Sequence, residues 1–231
     1  MKLLWFLLFG FGLFFALFIG GKKYRGTALY ALAIGGAVNA NFFHAANYPI
    51  DIFHLSFGID AILYNLFIFC VIVMFFEKNK KEAYLLAISS IIATLLAGFF
   101  DSVAEILSNG GYFDGAFNCL INFSISSFSS VICVVIILEL LDLFTKKKII
   151  KYQYILLSIG MVIATLLNSP IYYTLASLVF RQNDNLLNLT ISSLIGKAFA
   201  IIMALTTLFL LRIIDKHIAK KQASKEAKES E

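Results

Sequence analysis

The sequence predicts an all-α fold: a polytopic transmembrane helical bundle with a six-helix core plus an extra N-terminal helix, seven spans in all. Three observations predict it. First, 60% of the 231 residues are hydrophobic and the mean hydropathy is +0.87, more apolar surface than a soluble domain uses. Second, apolar runs long enough to cross about 30 Å of hydrocarbon at about 1.5 Å per residue recur along the chain, joined by short polar connections. Third, basic residues crowd alternate connections. A β-barrel is excluded, because no series of roughly ten-residue alternating segments is present.

The seven segments are residues 3–20, 27–46, 57–76, 84–107, 115–143, 153–180 and 187–214. The first opens Met1-Lys2 like a signal peptide, but no small-residue cleavage pattern precedes Lys22, Lys23 and Arg25. It is read as a retained, peripheral N-terminal helix over 1–21. Residues 22–215 form the six-helix domain, and 216–231 a charged tail. The cysteines Cys70, Cys119 and Cys133 lie inside apolar runs without metal or disulfide spacing.

Orientation follows from the basic residues. Lys22, Lys23 and Arg25, then Lys78, Lys80 and Lys81, then Lys146, Lys147, Lys148 and Lys151, then Arg212 and the tail lysines all fall on one side. By the positive-inside rule that side is cytoplasmic, with the N-terminus outside and the C-terminus inside a cell (plasma) membrane. The basic tail is expected to contact anionic membrane lipid.

With this topology the polar residues of six helices fall in the same, outer half. Segment two brings Asn39 and Asn41; segment three Asp60, Tyr64 and Asn65; segment four Asp101 and Glu105. Segment five brings Asn118 and Asn122, segment six Asn168 and Tyr172, and segment seven Lys197. A charge at membrane depth costs roughly 2.5–3.5 kcal/mol on insertion scales, so segregation of this kind predicts a polar, outward-facing cavity for a small-molecule substrate. Asp101 and Glu105 share a helix face, and Lys197 is the only base at depth and their candidate partner. Pro170, beside Asn168, Tyr172 and Tyr173, removes a backbone donor and suggests either a kink or a locally opened helix. Glu139 and Asp142 are expected to pair with Lys146 to Lys148. His44, His54 and Asp51 are placed at the rim, with no metal assigned. Ala33 and Ala37 form a small-residue face for internal packing or for a partner.

Some functions are excluded. There is no P-loop, GxSxG or HExxH, so no enzyme is expected, no cofactor is implied, and nothing points to nucleic acid.

The stretch from Asn39 through NYPID to FGIDAILYNLFIF, the KKEA after a short charged loop, TLLNSP…YYTLASLVF, and SSLIGKAFAII with its mid-helix Lys197 resemble the vitamin uptake transporter family. Its best-known members carry queuosine precursors. The resemblance covers about residues 35–215. It implies a six-helix importer related to the substrate-binding subunits of energy-coupling-factor systems, a planar heterocycle as substrate, and an energy-coupling ATPase module as a possible class of partner. The chain departs from the family in lacking an acid late in segment three, and in reading Asn168-Ser169-Pro170 where an aspartate often follows the asparagine. Two other readings fit seven helices. One is a retinal-type receptor, disfavoured because the single Trp, Trp5, lies in the first segment. The other is a non-transporting membrane sensor or assembly factor.

Overall fold

The computed structural model describes residues 8, 10–12, 21–45, 49–52, 55–108, 113–146, 153–180, 190–191, 193–207, 209–210 and 213. The elements are α1 (Gly21–Ala45), β1 (Pro49–Ile52), β2 (Leu55–Gly58), α2 (Asp60–Glu77), α3 (Lys80–Ser108), α4 (Phe113–Lys146), α5 (Gln153–Phe180) and α6 (Ser193–Thr207). Four helices are long and apolar enough to cross a membrane: α2, α3, α4 from Phe117, and α5 from Ile155. The helix α1 has the length, but Asn39 and Asn41 dilute its apolar run. In α6 the described apolar helix is shorter. The tail over 216–231, His54 and most of segment one lie outside the described residues.

The helix α2 is the axis of the bundle. Every residue from Ala61 to Met74 is buried, so α2 is hydrophobic all round because helices surround it on every side. At about 1.5 Å per residue it is about 27 Å long, enough for a span. Asp60 opens it, placing a carboxylate at the positive end of the helix dipole. At its other end, Asn79 caps α3: the Asn79 Oδ1 accepts a 2.9 Å bond from the Glu82 backbone N–H.

Contacts at both ends show how the helices run. Arg25 at the start of α1 pairs with Glu77 at the end of α2 (2.8 Å), whereas Asn41 and Asp60 meet at the opposite end. Lys80 at the start of α3 pairs with Glu139 (2.7 Å) and Asp142 (3.0 Å) late in α4, while Cys119 early in α4 donates to Asp101 late in α3. Successive helices are therefore antiparallel. Asp142 also pairs with Lys146, as expected, but Glu139 bonds Lys80 and Tyr84 on the neighbouring helix. Paired charges gather at one end of the bundle, and the open polar residues at the other.

Close approaches are made by glycine. A Cβ on Gly36 would lie 2.8 Å from the Leu63 carbonyl oxygen, so the backbones of α1 and α2 are in direct contact there. Ala33 and Ala37 on the same face are buried in the core, which assigns the small-residue face to internal packing. Gly10 packs against Met203 and Ile62, so the N-terminal segment touches the core helix α2 there rather than lying wholly at the periphery. Serines and threonines buried in α3, Ser90, Thr94 and Ser102, satisfy themselves by donating to the carbonyl four residues back.

The structure adds one feature to the all-α expectation. Between α1 and α2, β1 and β2 pair antiparallel, with Pro49 opposite Gly58 and Ile52 opposite Leu55. Pro49 stops the helix and stands at the first strand position, where its missing N–H is tolerated. Ile50, Ile52, Leu55 and Phe57 then suit extended backbone. Four-residue strands wedged between two apolar helices carry too little alternation to be seen in sequence.

Candidate functional site

The functional side chains gather in the half of the bundle nearest the hairpin. Lys197 on α6 is 5% exposed. Its Nζ donates to Asn168 Oδ1 and to Ser169 Oγ, both at 2.8 Å, and lies 4.5 Å from the Tyr64 ring centroid. Asn168 passes the chain on, donating to Ser129 Oγ at 3.2 Å, and Ser129 donates to the Ser126 carbonyl. Ser169 shares a 3.1 Å bond with Ser193, one helical turn before Lys197. Two helices, α5 and α2, thus hold the ammonium by neutral groups, with Ser129 on α4 behind them.

Asn65 stands behind this cluster and is fully buried. Its amide donates to the Ala61 carbonyl at 2.9 Å and to the Lys197 carbonyl at 3.5 Å, and its oxygen accepts from Thr165. It ties α2 to α5 and α6 behind the site. The Tyr64 hydroxyl lies beside Cys133 and Ser130, without hydrogen-bond geometry to either, so the ring offers Lys197 its face.

A cleft opens over Lys197. Ala40 and Asn41 from α1, Asp60 and Tyr64 from α2, Ser126 from α4, and Asn168, Ser169, Tyr172 and Tyr173 from α5 line it, with Ser193 and Lys197 from α6. The enclosed part of the cleft is about 50 Å³, and the rest is an open mouth. That enclosed part holds a few waters and is well below the size of a drug-sized pocket. Tyr172 and Tyr173 meet edge to face, with centroids 5.3 Å apart, and Tyr172 donates weakly to Asn122 at 3.5 Å. Asp60 is half-buried in the lining, and its charge acts on Lys197 and on both tyrosines.

No protein-family model, curated protein or solved structure matches this chain. The site is therefore read from its own geometry.

Of the residues singled out in the sequence, Asn41, Asp60, Tyr64, Asn168, Tyr172 and Lys197 line the cleft, and Asn65 and Asn122 support it. Four lie elsewhere. Asn39 is exposed and donates back to the Gly35 carbonyl, because about 200° of helix rotation separates it from Asn41. Asp101 accepts a 2.9 Å bond from Cys119, and Glu105 approaches Gly115, both between α3 and α4. Asn118 is exposed. The carboxylate that shares the cleft with Lys197 is Asp60, not the Asp101 and Glu105 of the sequence pairing. Pro170 also faces outward: α5 runs through it unbroken, and Leu166, whose carbonyl it frees, is 55% exposed.

Ser126, Ser169, Tyr173 and Ser193 complete the lining without having been singled out as ligand-facing. The signal was four-residue spacing. Asn122 and Ser126, Ser169 and Tyr173, and Ser193 and Lys197 are each one turn apart on one face. The side chains of His44 and Asp51, and all of His54, lie outside the described residues; among those that are described, no group of three metal-ligating side chains occurs.

Proposed function

We propose that this protein is an integral membrane importer that binds a small planar heterocycle, a queuosine precursor or vitamin-like compound, in an outward-facing cleft of a six-helix core. The observation that carries the reading is the cleft over Lys197, built by five helices at one end of an apolar bundle whose other end is closed by ion pairs. Tyrosine rings supply stacking faces, and Asn41, Asp60 and Asn168 supply donor and acceptor edges of the kind a heterocycle presents. The resemblance to vitamin uptake transporters, carried by the same stretches, names the substrate class. The basic end is cytoplasmic in this proposal, so the cleft faces outside and the C-terminus lies inside the plasma membrane. Delivery follows by alternating access, with the ion-paired end opening as the cleft closes. An energy-coupling ATPase module as partner rests on the resemblance alone, since the Ala33 face is used within the bundle.

The test is tRNA modification. Cells unable to make their own queuosine precursor should regain queuosine in tRNA when they express this protein and are supplied with precursor. Unmodified tRNA despite verified membrane expression rejects the substrate.

A further inference from the structure

We infer that the cleft is built to receive a single negative charge, and that its ligand is a small planar aromatic monocarboxylate whose carboxylate meets Lys197. This rests on the ligand-cleft reading and selects its vitamin-like branch, since a neutral 7-deazaguanine base carries no carboxylate. A lysine this deeply buried ordinarily has an anionic partner, because an uncompensated charge is costly away from water. Lys197 has two neutral oxygens and the face of a ring: Asn168 Oδ1, Ser169 Oγ and Tyr64. Among the described residues no carboxylate lies within ion-pair distance of its Nζ, and Asp60 acts on it only at longer range. Lys197 and the residues around its ammonium, Asn168, Ser169 and Tyr64, all line the cleft. A ligand carboxylate placed there supplies the charge that the protein leaves out. The hydroxyls of Ser169 and Ser193 stand beside Lys197 as further donors.

The rest of the lining narrows the class. One lysine with an aspartate in the same cleft favours one negative charge over two, and among the described lining residues there is no arginine to fork a phosphate. Asp60 in the same lining sets a polarity: the anionic end goes to Lys197 and away from the aspartate. Tyr64, Tyr172 and Tyr173 wall the space between with ring surfaces. The enclosed part of the cleft, only about 50 Å³, favours a small ligand over a long polyene.

The experiment compares acids with their amides. The full-length protein, purified in detergent, is titrated with nicotinate, nicotinamide, para-aminobenzoate and para-aminobenzamide, with guanine and adenine as neutral heterocycles, while its thermal transition is followed. Both acids should raise the transition saturably, and the amides should require at least tenfold higher concentration. Lys197→Met should erase the preference of acid over amide. Ser169→Ala, which keeps the lysine, should weaken the acids several-fold, and the comparison on the unaltered protein stands even if Lys197→Met fails to fold. Stabilisation by guanine or adenine, with acids no better than amides, overturns the inference while leaving the cleft a heterocycle site. No shift with any of the six compounds also overturns the inference, while the importer reading stands or falls on the tRNA assay.

Discussion

The contact between α1 and α2 at Gly36 makes a sharp prediction, because the preceding residue, Gly35, is its control. In Gly36→Ala the added Cβ lies 2.8 Å from the Leu63 carbonyl oxygen, 3.4 Å from the Phe67 nitrogen and 3.7 Å from the Leu66 Cβ. The two nearest atoms are backbone, so no side chain can rotate away. The two helices must separate by roughly half an ångström or more to restore an ordinary contact of about 3.5 Å. Overpacking of this kind costs about 1–3 kcal/mol. By the soluble-domain scaling for this size, that lowers the midpoint by about 2–12 °C. Gly35→Ala meets nothing within 4 Å and gains up to about 1 kcal/mol of helix propensity. The assay is thermal unfolding of both variants and the parent in one detergent. Ala40 and Asn41 in the cleft lie just beyond Gly36 on the same helix, so Gly36→Ala should also weaken ligand stabilisation. Equal midpoints for the two variants would refute the backbone contact and with it the central placement of α2.

Three further outcomes are expected. Gly98→Ala places its Cβ 2.6 Å from the Phe123 Cβ and should destabilise the α3–α4 pair by about 1–3 kcal/mol, measurable by the same unfolding assay, with an unchanged midpoint counting against that packing. Asn168→Leu removes an acceptor from a buried ammonium, a loss of about 1.5–3 kcal/mol, and should impair uptake far more than Asp101→Asn, whose carboxylate bonds Cys119; the reverse order in a transport assay would move the site to α3. Thiol labelling of the folded protein, read by mass spectrometry, should modify Cys119 in preference to the buried Cys70 and Cys133, and early labelling of Cys70 would show that α2 is not enclosed.

Much of the site was visible in sequence as an inventory. Asp60, Asn168 and Lys197 are conspicuous because polar groups at depth are costly and few. Their partnership was not visible. The paired carboxylates Asp101 and Glu105 drew attention, yet they face α4, and the lone Asp60 at the head of α2 is the acid that shares the cleft with Lys197. The stretch at Asn39 and Asn41 shows the reason. Two residues apart, both look equally suited to a cavity, but about 200° of rotation sends one into the cleft and the other to the surface.

The sequence by itself determined that this is a helical protein with apolar segments able to span a membrane. It also placed the runs of basic residues toward one end of the helices, and most amides, hydroxyls and the isolated Asp60, Asp101, Glu105 and Lys197 toward the other. Those are one-dimensional properties, since a membrane span ties depth to position along the chain. Tertiary structure decided the rest: α2 as the enclosed axis, the hairpin between α1 and α2, and the meeting of Asn168, Ser169 and Tyr64 around Lys197. Each depends on the rotation of a helix about its own axis and on which helix lies beside it. Both are set by close packing, at glycines such as Gly36 and Gly98, and hydropathy along the chain carries no record of either.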